Sequence, residues 1–475
     1  MPLVTSFMKS RKKTLELGEL GPCKFKPVDT FFRAAIKETK NYKSILTPIP
    51  VVDGQQVVAI GDIHADMLVL LGCLYLLGVI NIEGYWIGGN TIVVQCGDLL
   101  DRSGRAASVM TDNPREEVDI VQYLFYLNKS AQSQGGGIYW VLGNHDVSRV
   151  LWKYYEGNKI AVEDPDEHKR RIRRTPDYRK YIGNQHIGWG GTDKMKEIFS
   201  PGGLMAIYMS MYTTYTLQVG YYVFMHGGLT IETIQDVKKE LRITKPEKFF
   251  DMVNRHVSRV FIGDTPISAA VKKIAWNRTW SKEKPLERGE NWELKKYAIT
   301  AGVGMTKAER YCTKHMRKIF KAVNMNWENG AFVLGHSIQE SGIPLYCKGR
   351  VWRIDLGMSE AFSSGKIPKV IGGLKIFMHP ATNQPVEVLV VMNYSNPGGT
   401  DHVDQFILYI NRNYRRILID PLNPNKNKSG FKPDFSKVGA FWRRGIIDVE
   451  MVLQKNRKRK SDGGDSRETR KNFRL

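Results

Sequence analysis

Acidic residues are under-represented in this 475-residue chain: Asp plus Glu number 48 against 71 Lys plus Arg, a formal charge of +23. A field of that sign favours polyanionic partners such as phosphoproteins, nucleic acid or acidic lipid surfaces without choosing among them. Cysteine is scarcer still. The five residues Cys23, Cys73, Cys96, Cys312 and Cys347 are odd in number and lack paired metal-knuckle spacing, which reads as reduced thiols in a reducing compartment, not a disulfide framework. Long apolar runs are missing too. The longest, Met67 to Ile80, falls short of the about 20 residues that cross a bilayer. The opening MPLVTSFMKSRKKTLELGE has no continuous apolar core before a cleavage site, and Glu16 and Glu19 sit where a transit peptide avoids acid. A soluble intracellular, cytoplasmic protein is expected. There is no internal repeat and no RNA-binding motif.

What is present is a rhythm. Apolar, β-branched runs recur, each stopping at Gly with Asp, Asn or His: VVAIGD to Asp62, TIVVQCGD to Asp98, GIYWVLGNHD to Asp146, YYVFMHGG to Gly228 and AFVLGHS to Ser337. Each reads as a buried strand emptying into a loop. Helical spacing fills several intervals, at Met67 to Val79, Glu116 to Ser130 and Lys307 to Asn324, with a further short helix around Asp29 to Lys40. The alternation predicts an α/β protein of stacked sheets with flanking helices and an active site at the carboxyl ends of its strands.

Four segments follow: a basic extension over 1–45, a catalytic domain over 46–385, further strands or a small appended unit over 386–454, and a disordered tail over 455–475. The run at 455–460 reads equally as a nuclear-import signal and as a solubilising end. Residues 164–180, charged and poor in apolar side chains, read as a solvated insertion.

The first three strand ends are Gly61-Asp62-Ile63-His64, Gly97-Asp98-Leu99-Leu100-Asp101-Arg102 and Gly143-Asn144-His145-Asp146. Singly they are ordinary turn chemistry. Converging at adjacent strand ends, their carboxylates, imidazoles and amide oxygen make a hard-to-borderline ligand set for divalent transition metals. His226 and His336 end the later strands and supply further imidazoles. Five donors from separate segments suggest a two-metal centre in which Asp62 and His64 hold one ion, Asp98 bridges and Asn144 serves the second.

The ordered set GDxH, GDxxDR, GNHD, HGGL and GH resembles the signature of the calcineurin-like metallophosphoesterases, and the Arg of the second motif makes it similar to their phosphoprotein phosphatase branch. The segment Ile354-Asp355-Leu356-Gly357-Met358-Ser359 is similar to the strand that follows the last histidine in bacterial-type and Shewanella-like members. Ala65-Asp66, Ser103 and Asp146 depart from the eukaryotic Ser/Thr phosphatases in the same direction. The resemblance implies a β-sandwich of mixed sheets flanked by helices and two ions of Mn, Fe or Zn. Asp62, His64, Asp98 and His336 would surround the first ion, and Asp98, Asn144 and His226 the second, with family members differing in which later histidine serves which ion. It implies His145 as general acid oriented by Asp101, and Arg102, Arg278 and Asn144 as phosphate contacts. The expected reaction is hydrolysis of phosphate monoesters by metal-activated water, on serine/threonine phosphoproteins. A nucleotide polyphosphate hydrolase, acting on dinucleoside polyphosphates or RNA caps, is the alternative within the superfamily, and a non-catalytic basic scaffold the alternative outside it. Cys96 and Arg102 also carry the Cys-x5-Arg spacing of thiol phosphatases. Two carboxylates inside that cradle would repel a phosphate and raise the thiol pKa, so Cys96 is expected to be a core residue.

Overall fold

In chain order the elements are β1 (Glu19–Leu20), β2 (Cys23–Lys24), α1 (Val28–Thr39), β3 (Gln56–Ile60), α2 (Met67–Leu76), β4 (Ile92–Cys96), α3 (Pro114–Gln132), β5 (Gly137–Val141) and α4 (Asn144–Leu151). Then come α5 (Leu204–Tyr212), β6 (Thr213–Thr214), β7 (Thr216–Val219), β8 (Tyr222–Met225), α6 (Ile231–Glu240), α7 (Phe249–Phe261), α8 (Ala269–Trp276) and α9 (Lys307–Ala322). The chain closes with β9 (Ala331–Leu334), β10 (Leu345–Tyr346), β11 (Val351–Arg353), β12 (Val370–His379), β13 (Gln384–Ser395), β14 (Val403–Asn411) and β15 (Arg416–Ile419). This computed structural model describes residues 19–39, 48–52, 55–101, 114–151, 197–281, 307–339, 343, 345–347, 350–359, 362, 370–379, 384–395, 403–411 and 416–419. Arg102, the 164–180 insertion and the basic tail lie outside them.

Two mixed sheets form the centre, one of eight strands in the order β15-β14-β13-β12-β3-β4-β5-β6, the other of five in the order β10-β11-β9-β8-β7. Strands β3, β4, β5 and β6 run parallel, and so do β8, β9 and β11. Parallel strands covered on both faces must be apolar throughout. That is why VVAI, IVVQC and AFVL carry almost no polar alternation and are buried along their length. All five strands read from the sequence are present.

Helix α2 is apolar all round, MLVLLGCLYL, and nine of its residues are buried, as a helix enclosed by other elements requires. It starts at Asp66, whose carboxylate accepts the Val69 N–H at 3.1 Å. Beyond residue 386 the strands β13, β14 and β15 continue the large sheet by antiparallel pairing from β12. At the other end, α1 buries Phe31 and Phe32 in the core, with the Phe31 ring 5.4 Å from that of Phe125. Part of the segment set apart as an extension therefore belongs to the packed body. Among the described residues no helix is long and apolar enough to cross a membrane.

The cysteines need one correction. Cys312 of α9 and Cys347, after β10, form a disulfide across a separation of 35 residues, while Cys23, Cys73 and Cys96 are free and buried. Three thiols used as small apolar core residues hide one pair behind an odd count. Closing a loop of that length stabilises by about 3–4 kcal/mol on the chain-entropy account. Cys347→Ser is expected to lower unfolding free energy by about that amount in non-reducing buffer and to change nothing once dithiothreitol is present, as denaturant titration can check.

Candidate metal centre

Every donor expected from the sequence lies just past a strand. Asp62 and His64 follow β3, Asp98 follows β4, Asn144 and His145 open α4 beyond β5, His226 follows β8 and His336 follows β9. None of the seven is more than 5% exposed. Buried carboxylates and imidazoles must be satisfied by one another or by a ligand.

They fall into two groups that share one member. Ligand atoms of Asp62, His64 and Asp98 lie within 4.8 Å of one another, as do those of Asp98, His226 and His336. His64 Nε2 stands 3.9 Å from Asp62 Oδ2 and 3.7 Å from Asp98 Oδ2. These separations exceed a hydrogen bond, as donors aimed at a common point require. His226 Nε2 lies 3.2 Å from Asp98 Oδ2 and 2.9 Å from Asn144 Oδ1, which adds Asn144 to the second group. His336 joins that group, its ring centroid 4.8 Å from that of His226, while its backbone N–H donates to both Asp62 carboxylate oxygens at 3.2 Å.

The surroundings aim these groups. His64 Nδ1 faces the Asp101 carbonyl at 3.1 Å and His226 Nδ1 faces that of Cys96 at 3.0 Å. Each carbonyl fixes a tautomer that leaves Nε2 free to ligate. Burial pushes the Asp98 carboxyl up, but His226, His145 and His64 around it hold it well below the usual carboxylate range. Burial, aided by His226 and Arg278, drives His336 well below the usual imidazole range. An ionised carboxylate and a neutral imidazole are the states a cation needs. The sharpest sign of fit is His336 Nε2, a buried atom with no hydrogen-bond partner. The residues present suit divalent ions.

Backbone strain gathers at the same loops. His64, Ala65, Asp98, Asp101 and His336 hold φ of 48°, 53°, 52°, 67° and 72°, the left-handed region that costs a non-glycine residue about 1–2 kcal/mol. Two glycines of the motifs are there for space. A Cβ on Gly143 would lie 2.1 Å from Asp98 Oδ1, and one on Gly335 would lie 2.4 Å from Asp62 Oδ1. Gly143→Ala is therefore expected to cost about 1–3 kcal/mol in stability and to cut metal content, measured by elemental analysis after gel filtration. Unchanged metal content would show that the Asp98 loop can yield.

His145 stands at the edge of the cluster. Its backbone N–H donates to Asp98 Oδ1 at 2.8 Å, its Nδ1 lies 2.6 Å from Asp101 Oδ2, and its Nε2 lies 3.9 Å from Asp98 Oδ2. The His145 and Asp101 side chains are thus in contact. Arg278 reaches the site from the segment after α8, its Nη1 donating to the His336 carbonyl at 2.5 Å and to Ser337 Oγ at 3.0 Å. Cys96 is fully buried, and burial followed by the Asp62 charge raises its thiol well above the usual value. It is packed in the core, in surroundings that disfavour the thiolate.

Several residues here were given no role by the sequence. Asp146 accepts from the Gly143 and Leu100 backbone N–H groups at 2.8 and 2.9 Å and from Trp140 Nε1 at 3.2 Å, tying the loops after β4 and β5 together. Burial and then the Asp98 charge push its carboxyl up to about 7, while every named partner is a donor, as the anion requires. Arg149 and Glu117, 5% and 2% exposed, form an ion pair behind Asp101. Phe362 lays its ring 5.2 Å from that of His64.

Residues 56–273 match the family model described as calcineurin-like phosphoesterase. The chain carries a domain of that description over those residues. It is similar to Shewanella-like protein phosphatase 2 of Arabidopsis thaliana, 24% identical over 345 residues that cover 67% of this chain and 74% of the relative. It is also similar to Shewanella-like protein phosphatase 1 of Plasmodium berghei, 23% identical over 314 residues covering 64% and 67%. Among solved structures it is similar to the cold-active protein-tyrosine phosphatase of a psychrophilic Shewanella species, at 16% identity and a TM-score of 0.38 over 78% of this chain and 83% of that one.

Proposed function

We propose that this chain is a metallophosphoesterase, and specifically a protein phosphatase that hydrolyses phosphoserine and phosphothreonine at a dinuclear centre. The observation that carries the reading is Asp98, one buried carboxylate common to two donor groups, with the His145–Asp101 pair beside it. Asp62, His64 and Asp98 would hold one ion, and Asp98, Asn144, His226 and His336 the other. Bound there, Mn, Fe or Zn ions supply Lewis acidity and acidify water to near neutral pKa.

The chain's own residues do the rest. His145 holds a proton at Nε2 and passes it to the leaving oxygen as the P–O bond breaks, while Asp101 fixes the ring through Nδ1. Arg278, and Arg102 from the second motif, neutralise charge on the non-bridging phosphate oxygens. Phe362 limits water at the His64 side. An alkoxide leaves far less readily than a phenolate, whose conjugate acid has a pKa of about 10, so a general acid matters most for serine and threonine esters. The names of the plant and Plasmodium relatives support a protein substrate.

The test is a panel of phosphoserine, phosphothreonine and phosphotyrosine peptides with dinucleoside tetraphosphate and capped RNA, assayed with added Mn. Preferred turnover of the first two is expected. Preference for the polyphosphates would favour the nucleotide reading, to which the +23 charge lends itself, and no turnover of any substrate would leave the scaffold.

A further inference from the structure

We propose that Arg149 and Glu117 are positioning residues for the His145 proton donor, acting through Asp101; the inference rests on the phosphatase reading above. Arg149 lies on α4 one turn after His145, so both side chains project from one face of the same short helix. Its Nη2 is 3.6 Å from Asp101 Oδ1, the oxygen not used by His145. It also bonds Glu117 near the start of α3, with Nε at 3.1 and 3.2 Å from the two carboxylate oxygens and Nη2 at 2.5 Å from Oε1. Glu117 Oε1 also accepts the backbone N–H of Asp101 at 3.1 Å.

Asp101 is thus held at both ends, its backbone by Glu117 and its carboxylate Oδ1 by Arg149. That grip matters because Asp101 has φ of 67°, a conformation that persists only when its surroundings impose it. Asp101 also serves two histidines: its carboxylate meets His145 Nδ1 and its carbonyl meets His64 Nδ1. A shift of Asp101 therefore rotates the ring whose Nε2 must face the leaving group. The fork shape of guanidinium suits this double contact, which a lysine cannot make. Burying an ion pair for stability alone is a poor bargain against apolar packing, so the pair's place behind the dyad points to alignment as its use.

Removing either partner alone leaves a buried charge and can prevent folding. The informative protein is the full chain carrying Glu117→Gln with Arg149→Met, which keeps an acceptor for the Asp101 N–H and strands no charge. With metal loaded, turnover of a phosphoserine peptide is expected to fall about 10²-fold, as for a misplaced catalytic group, with KM and metal content unchanged. Turnover of 2,4-dinitrophenyl phosphate, whose leaving group needs no proton, is expected to stay within about threefold. In proton NMR the His145 Nδ1–H resonance is expected in the wild type and broadened or lost in the double variant, a readout independent of activity. Asp101→Asn is the control. If it shows the leaving-group split and the double variant shows neither split nor NMR change, Arg149 and Glu117 are structural only and the inference is wrong. If Asp101→Asn shows no split, the general-acid reading itself falls, and the inference falls with it.

Discussion

Asp98→Asn is expected to disable both donor groups in one step. Asp98 is the only member common to the two groups found among the described residues, so in the proposed centre its charge would offset both ions at once. Asparagine is the right replacement: it tolerates the left-handed backbone that Asp98 adopts at φ 52°, and its Oδ1 can still accept the His145 N–H. The fold should survive while the site loses the anion on which His226, His145 and His64 converge. Metal content is expected to drop from two ions per chain to at most one weakly held ion, with turnover falling about 10³-fold or more. Asp62→Asn, which touches one group only, is expected to lose a single ion. Equal losses in the two variants would contradict the shared role of Asp98.

His145→Asn should separate proton donation from metal binding. His145 belongs to neither donor group, and its Nε2 stays 3.9 Å from Asp98 Oδ2, so both ions are expected to remain. A positioned acid contributes about 10²–10⁴-fold. That whole factor is expected to vanish from turnover of phosphoserine and phosphothreonine, whereas 2,4-dinitrophenyl phosphate is expected to lose little. Rate constants for a series of aryl phosphates in wild type and variant check this through the slope against leaving-group pKa, which should steepen. A parallel shift for every substrate would assign His145 to binding.

The strands that carry the site were legible because parallel, doubly covered strands must be apolar end to end, and such runs stand out against the Gly, Asp and His that stop them. Less legible was the stretch between β8 and α9. Helix α7 buries Phe249, Phe250, Val253, Val257, Val260 and Phe261, a helical period present in FFDMVNRHVSRVF but with no strand motif to draw attention to it. The pairing of β13 to β15 onto β12 was beyond reach, since a meander that extends a sheet and one that stands apart share one alternation pattern.

Within the candidate site, the positions at strand ends were readable and their grouping in space was not. Asp62, His64, Asp98, Asn144, His226 and His336 each sit at a strand end named by a motif, but which histidine shares which ion depends on how the two sheets face each other. The sequence has no term for that angle. His336 lies beside His226 because β8 and β9 are parallel neighbours. Arg149 and Glu117 escaped notice for a related reason: Arg149 is four residues past His145, the spacing that shares a helix face, but its partner lies 32 residues earlier.

The most direct test of the proposed dinuclear centre is anomalous diffraction from a crystal of the Mn-loaded chain. Two peaks astride Asp98 are expected, one contacted by Asp62 and His64 and the other by Asn144, His226 and His336. A map with no peak at Asp98, or with one peak that leaves His226 and His336 unligated, would contradict it.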